Sequence, residues 1–381
     1  MEPVLPQYTR RQVLFAGGAA LAVAACGQKA TKAATATTTT TTTSTTSFAT
    51  AGEKVALTFH PGFPPSLDSM QQVCVDWAKK LETDTAGRLQ ITVLDTDITT
   101  MGGFLPLAQL FEHADWVWSS TGSMSMPIQS SLTYFVYGTD MAGSLQISNQ
   151  LIDEFPEMQS EYVAAGVKRF GALTAIGHYI QTIEGKPVRT LADLKGLKIA
   201  GGGPGGLGAI LSEYGAVVEG VPNAVGPDTY TTFATNKGEI DGVLTLPGML
   251  ELDTDGVIRY ATDLRIPYAP IDTFYMKLEK WNSIPTDIQE KMEDSLPWFY
   301  EKIVKADMKM TEAAMNDSRT KGVEFIELSE EDQTAVYGLA EKAAIAKAAE
   351  VDAKGLPGTK VFERARELIK KYNDTHTLWI P

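Results

Sequence analysis

Cysteine and histidine are scarce. Two cysteines in 381 residues exclude a disulfide-stapled scaffold. The four histidines, His60, His113, His178 and His376, form no i, i+4 pair, so a zinc site has no support. Basic charge is also short: 33 Lys+Arg stand against 47 Asp+Glu, a formal net charge of −14. Phosphate contacts need the opposite balance, which argues against a nucleic-acid partner. No apolar run reaches the ~20 residues that span a bilayer. There is no G-x-S-x-G of an esterase elbow, and a catalytic constellation is otherwise missing. What is present is enough chain for about two domains, at ~150 residues each.

The first fifty residues read as something other than folded body. Arg10-Arg11 precedes the weakly hydrophobic run Val13 to Ala25, which resembles a twin-arginine export signal. The run closes on Val23-Ala24-Ala25-Cys26-Gly27, resembling a lipoprotein lipobox in which Cys26 is the lipidated residue. From Ala30 to Ala51 the chain is almost wholly Thr, Ala and Ser, with seven consecutive threonines, Thr37 to Thr43. Such a segment has nothing to bury. As a coil of about 20 residues it reaches about 25 Å, a tether. Cys74 is then left without a disulfide partner and reads as a core position on a helix.

From residue 53 the pattern alternates between strand and helix. Strands are expected at 54–60, 88–94, 115–118, 167–173, 197–200, 216–218, 238–243 and 273–276. Helices are expected from about Ser66, near 106–113, and over 144–155, 207–214, 227–236, 285–317 and 330–353, with a turn-helix at 191–196. Leu67, Met70, Val73, Trp77 and Leu81 recur at helical spacing in the first of these helices. Ser329 is the expected N-cap of the last, with Asp332 three residues on. The alternation implies α/β layers with mostly parallel sheets.

Gly201-Gly202-Gly203-Pro204-Gly205-Gly206 is a literal G-x-G-x-x-G between strand and helix, with Glu219 after the next strand. It keeps an exported NAD(P)-dependent oxidoreductase in view as an alternative. Three features weaken that alternative. The unit does not open the domain, its helix is about two turns, and Pro204 removes one N–H from the phosphate cradle. Asp253-Thr254-Asp255-Gly256 lacks the later ligands of a calcium loop.

Leu191-Ala192-Asp193-Leu194-Lys195-Gly196-Leu197-Lys198-Ile199 resembles the D-L-K-G-L-K-I stretch of solute receptors of tripartite ATP-independent periplasmic (TRAP) transporters, the dicarboxylate-receptor type. In the right order come Trp77-Ala78 to Leu89, Tyr162 to Lys168, Tyr230 to Gly242, Trp281 to Pro285 and Lys321 to Glu324. The likeness covers roughly residues 53–350. It implies an α/β, two-lobed periplasmic-binding-protein-like fold with a hinge and a helical C-terminal region. It also implies a non-enzymatic receptor that delivers a small organic molecule, an organic acid or related metabolite, to TRAP permease membrane subunits. No cofactor or metal is expected. The expected division is a signal peptide at 1–25, a tether at 26–52, a first part of lobe I at 53–175, lobe II at 176–265, and a return to lobe I plus C-terminal helices at 266–381. The expected location is periplasmic or extracytoplasmic, anchored to the membrane by lipid on Cys26.

The departures from the family pattern bear on the ligand. Receptors of this type clamp a carboxylate with an arginine directly after the K-I strand, where bidentate geometry suits it; here that residue is Ala200. A second arginine position falls in Gly177-His178-Tyr179, and D-G-x-E-N-P becomes Asp241-Gly242-Val243-Leu244-Thr245-Leu246-Pro247. Candidate ligand-binding residues are therefore chosen by place. His60, Phe63, Trp118 and Tyr134 stand for the first lobe, and His178, Tyr179, Tyr230 and Thr245 for the second. Arg169 could supply a relocated cation, but at the start of a strand it is expected to be exposed. Residues 1–52 carry four basic groups and one acid, so the body is more acidic than the whole chain, and any acid it captures must be held by local donors against that field.

Overall fold

The protein is described from a computed structural model covering residues 52–62, 68–94, 107–120, 126–132, 139–173, 178–201, 207–218, 229–230, 232, 239–253, 255–264 and 272–378. In chain order the elements are β1 (Val55–His60), α1 (Asp68–Asp84), β2 (Leu89–Val93), α2 (Leu107–His113), β3 (Trp116–Ser120), α3 (Pro127–Leu132), α4 (Met141–Glu154), α5 (Pro156–Ala164), β4 (Val167–Leu173) and β5 (Tyr179–Ile183). Then follow β6 (Ile199–Ala200), α6 (Leu207–Glu213), β7 (Gly242–Thr245), β8 (Ile258–Asp263), β9 (Asp272–Lys277), α7 (Leu278–Asn282), α8 (Thr286–Thr320), β10 (Glu324–Glu327), α9 (Glu330–Asp352) and α10 (Gly358–Asn373). Short 3₁₀ turns occupy Leu191–Leu194 and Pro247–Leu252.

Two five-stranded sheets result, in the orders β2-β1-β3-β9-β4 and β10-β8-β5-β7-β6. Each is mixed rather than mostly parallel. In the first sheet β9 runs antiparallel to both β3 and β4, and in the second β5 runs antiparallel to both β7 and β8. The reason is topological: β5 and β9 are the strands at which the chain crosses from one sheet to the other, so each enters its new sheet reversed. The expected strand at 216–218 is reduced to a single bridge, Lys198 with Val217. Strands β5, β8 and β10 and helix α10 escaped the sequence reading. Tyr179 to Thr182 are all buried, so no alternation marks β5.

Each sheet is covered by its own cores. Met70, Cys74, Trp77 and Leu81, spaced three or four apart on α1, are all buried and meet Phe59, Trp116 and Phe299. Trp77 stacks on Phe299 with ring centroids 4.1 Å apart, and its indole N–H donates to Ser295 Oγ at 2.8 Å. The buried Cys74 thiol is pushed well above its ordinary pKa by desolvation.

Two long helices join the lobes. On α8, residues from Ile288 to Met310 lie in the first sheet's core, and Ala314 and Met315 in the second's. Helix α9 returns: Val336 and Ala340 pack on the second sheet, Ala344 to Val351 on the first. Ser329 caps α9, its hydroxyl accepting the Asp332 N–H at 3.1 Å, as expected.

Candidate functional site

The strand directions define one special edge on each sheet. β1, β2, β3 and β4 all end, and β9 begins, on the same edge of the first sheet. β6, β7, β8 and β10 end, and β5 begins, on the corresponding edge of the second. Chain reach brings these edges together. Leu173 at the end of β4 is six residues from Tyr179 at the start of β5, a span of at most roughly 20 Å. Asp263 and Asp272 are nine residues apart, at most roughly 30 Å. At the second sheet's end of both connections, the Leu264 N–H donates to the His178 carbonyl at 3.2 Å, extending the β5–β8 pairing by one step. Ligands of open α/β sheets bind outside the carboxyl ends of the strands, and here those ends converge from two lobes.

On the first edge, β1 ends at His60, which is 2% exposed. Its Nδ1 accepts the Gly62 N–H at 3.2 Å, which places the ring's own proton on Nε2 when the imidazole is neutral. Gly62 has φ +74°, and a Cβ there would run into the Trp118 ring. Glycine is therefore what lets the chain turn flat against the indole. Trp118 lies opposite Phe274 on β9. Phe63 and Tyr134 lie outside the described residues, as does Cys26.

On the second edge the registers place Glu327, Asp263, Tyr179 and Thr245 in one row on one face of the sheet, since residues opposite each other share a face. Asp263, Tyr179 and Thr245 are buried. Beside the row, burial pushes the His178 imidazole down to about 3, so it is neutral at physiological pH. Tyr230 is 2% exposed; its hydroxyl donates to Gln181 Oε1 at 2.7 Å, and Gln181 Nε2 donates to the Leu246 carbonyl at 3.0 Å. This chain of bonds fixes the turn that leaves β7. The structure thus brings His178, Tyr179, Thr245 and Tyr230 together at one edge, with Tyr230 one layer beneath it.

Among the described residues, the positive charge carried on or beside strands lies away from these edges. The described cations on or beside strands, Arg88, Lys168, Arg169, Lys198, Arg259 and Lys277, all sit at the opposite edges. Several are engaged there. Lys168 pairs with Glu293 at 2.6 Å and lies over the Trp281 ring at 4.9 Å. Arg88 bonds Asp287, and Arg259 reaches Glu184 at 3.5 Å. Arg169 is half-buried rather than exposed, donating to Asn149 Oδ1 and Ser148 Oγ on α4, both at 2.9 Å. It braces a helix. Ala200 is fully buried against Val243.

Sequence reasoning missed Asp307. Helix α8 buries Ile288, Met292, Ser295, Phe299, Ile303, Met310, Ala314 and Ser318, a stripe stepping by three or four residues. The step between Ile303 and Met310 is filled by Asp307. A carboxylate interrupting an otherwise inward-facing stripe was the available signal. Among the described residues no group of three or more His, Cys, Asp or Glu is placed to hold a metal ion, and no helix is long and apolar enough to cross a membrane.

Two sheets of mixed α/β structure, joined by two crossings and carrying at their strand ends aromatic, hydroxyl and imidazole groups together with Asp263 and Glu327, fit a binding protein of the two-lobed periplasmic type. Solved structures share this fold. A TRAP periplasmic solute binding protein from Desulfovibrio salexigens, in an open complex, matches with a TM-score of 0.68 and 22% identity over 84% of this chain and 98% of that one. One from Bordetella bronchiseptica with bound (R)- and (S)-mandelate matches at 0.67 and 22%, over 83% and 99%. One from Rhodoferax ferrireducens with copurified benzoate matches at 0.68 and 16%, over 84% and 99%. No curated protein sequence matches the chain. Residues 157–349 match the model of the bacterial extracellular solute-binding proteins, family 7, and the chain belongs to that family. It is an extracytoplasmic receptor for a small solute.

Proposed function

We propose that this receptor captures a small organic acid, or a closely related metabolite, between the strand-end edges of its two lobes and passes it to a TRAP-type permease. The observation that carries the reading is the convergence of those edges on His60 and Trp118 from one side and His178, Tyr179 and Thr245 from the other. Aromatic and hydroxyl groups of this kind suit a compact ligand with an apolar body and few polar atoms. The solved neighbours are consistent with it: they hold mandelate, benzoate or, in a receptor from Bordetella pertussis, pyroglutamic acid. The protein works by binding its solute more tightly in the closed arrangement than in the open one, without altering it chemically. Residues 53–175 and most of 266–381 serve as lobe I; residues 176–265 serve as lobe II, completed by β10 and the first turns of α9, which the expected division counts with lobe I. Cys26 carries a lipid anchor and the Thr/Ala-rich segment is the tether.

The test is thermal stabilisation of the purified receptor by a panel of mono- and dicarboxylates, NAD and NADP, followed by mass spectrometry of any ligand carried through purification. Saturating ligand at 100 times its Kd stabilises by about 2.7 kcal/mol. Stabilisation by an acid supports the reading. Stabilisation by NAD or NADP alone overturns it in favour of Gly201–Gly206. Labelling with palmitate in the native host, lost in Cys26→Ser, tests the anchor.

A further inference from the structure

The described cations on or beside the strands lie away from the strand-end edges, so a donor from a neighbouring helix is a second means of holding an acidic ligand there. Asp307 is placed to do it. Helix α8 packs antiparallel to α1, as Arg88 with Asp287 and Trp77 with Ser295 fix the register. The start of α1, just after the His60 edge, therefore comes level with the part of α8 that follows Phe299. One turn beyond Asp307, Thr311 meets the 3₁₀ turn that leaves the Thr245 edge, so closely that a Cβ on Gly248 would stand 2.9 Å from Thr311 Oγ1. Asp307 thus sits on the inner stripe of α8 one turn before the helix passes from the first core, which still includes Met310, to the second, which begins at Ala314. It keeps partial solvent access, unlike the stripe on either side of it, and makes no hydrogen bond or ion pair with any described residue.

Burial alone raises its carboxyl to about 7. No counter-charge is paired with it: Asp68 and Asp76 on α1, Glu251 on the 3₁₀ turn with Asp253 just after it, and Glu312 on α8 are acids, while Lys305 and Lys309 lie two residues to either side, off the stripe, Lys305 pairing with Glu301 at 3.0 Å. Closing the lobes removes more water and favours the neutral form further. What the cleft floor then offers is an O–H donor, and its natural complement is a carboxylate, through a charge-assisted bond of the strong class.

On the reading of this protein as an organic-acid receptor, we propose that Asp307 is a ligand-contacting residue that takes a proton from solvent on closure and donates it in a hydrogen bond to the ligand's carboxylate. One negative charge is shared by two carboxyl groups, and no bond to carbon is made or broken. Capture of the ligand is thereby coupled to uptake of one proton.

The experiment is titration calorimetry of the intact receptor with benzoate, mandelate and pyroglutamate at about pH 6 and about pH 8, for the native protein and Asp307→Asn. Native affinity falls roughly tenfold from the lower pH to the higher, following the fraction of protonated acid. The amide donates at either pH, so Asp307→Asn keeps its affinity within about twofold. Repeating the native titration in two buffers of different ionisation enthalpy reads the proton directly, near one per ligand at about pH 8 and near zero at about pH 6; this stands even if the variant does not fold. A flat native profile, or a slope that survives in Asp307→Asn and so belongs to another group such as His60, overturns the proposal and leaves the organic-acid reading in place. Binding of none of the three acids at the lower pH, with an amine or polyol bound instead, removes both.

Discussion

Replacing Gly62 by alanine tests the architecture of the first ligand-facing edge. The perturbation has two separable parts. Gly62 has φ +74°, and an L-residue in the left-handed region costs about 1–2 kcal/mol. The new Cβ would also run into the Trp118 ring, and overpacking of this kind costs about 1–3 kcal/mol. Gly185 supplies the reference: its φ is +77°, but nothing lies within 4 Å of a Cβ placed there. Gly185→Ala is therefore expected to lose only the conformational part. Urea unfolding followed by tryptophan fluorescence gives both values by linear extrapolation. Gly62→Ala should be the more destabilising by about 1–3 kcal/mol, and in a Trp118→Ala background the excess should vanish, a coupling that a double-mutant cycle isolates. Equal losses at the two glycines, or an excess that survives removal of the indole, would refute the claim that β1 turns flat against Trp118.

Two titrations should give the stability opposing slopes with pH. His178 is held down at about 3 against about 6.5 when unfolded, so the unfolded chain binds the extra proton between these values. Stability should fall by about 1.4 kcal/mol per unit as pH drops through that window, a slope absent in His178→Gln. Asp307 is the reverse: with its carboxyl raised to about 7, the folded state binds the extra proton from about pH 4 upward. Stability should fall by a similar amount per unit as pH rises toward 7, and Asp307→Asn should remove that loss in urea midpoints at about pH 8. Tyr230→Phe strips the donor from buried Gln181 Oε1 and should destabilise by about 1–2 kcal/mol, read by the same unfolding assay. Cys74, buried with its thiol pushed upward, should resist a thiol reagent until urea unfolds the first lobe; prompt labelling of the native protein would contradict its place in the core.

Much of the fold was readable because local chemistry and tertiary packing agree in it. The α1 stripe and the Ser329 cap follow from spacing alone, and so do the strands that alternate. β5 did not follow, since Tyr179, Ile180, Gln181 and Thr182 are all buried and a strand covered on both faces shows no period of two. The reversed strands were equally hidden, because direction depends on which sheet the chain enters next. At the site, reasoning by location chose His60, His178, Tyr179 and Thr245, which lie at or beside strand ends, and Trp118, which lies within β3. It placed Tyr230 with them, though that side chain lies a layer below, bonded to Gln181. Arg169 looked like a surface cation because its partners, Ser148 and Asn149, are about twenty residues away on α4. Asp307 was overlooked because an acid on a long amphipathic helix reads as solvent-facing until the stripe is counted residue by residue.

The insertion of β9 between β3 and β4 also sets a timetable for synthesis. Until Lys277 has left the ribosome, the first sheet exists as two separate halves, with the edges of β3 and β4 bare. At about 5–20 residues per second, the hundred-odd residues between the end of β4 and the end of β9 take on the order of ten seconds to emerge. The second lobe must wait longer, for β10 at 324–327. A nascent chain in this state presents unpaired strand edges suited to chaperone capture, and neither lobe can act as a finished template for the other. Domain order in the folded protein and assembly order on the ribosome are different orders.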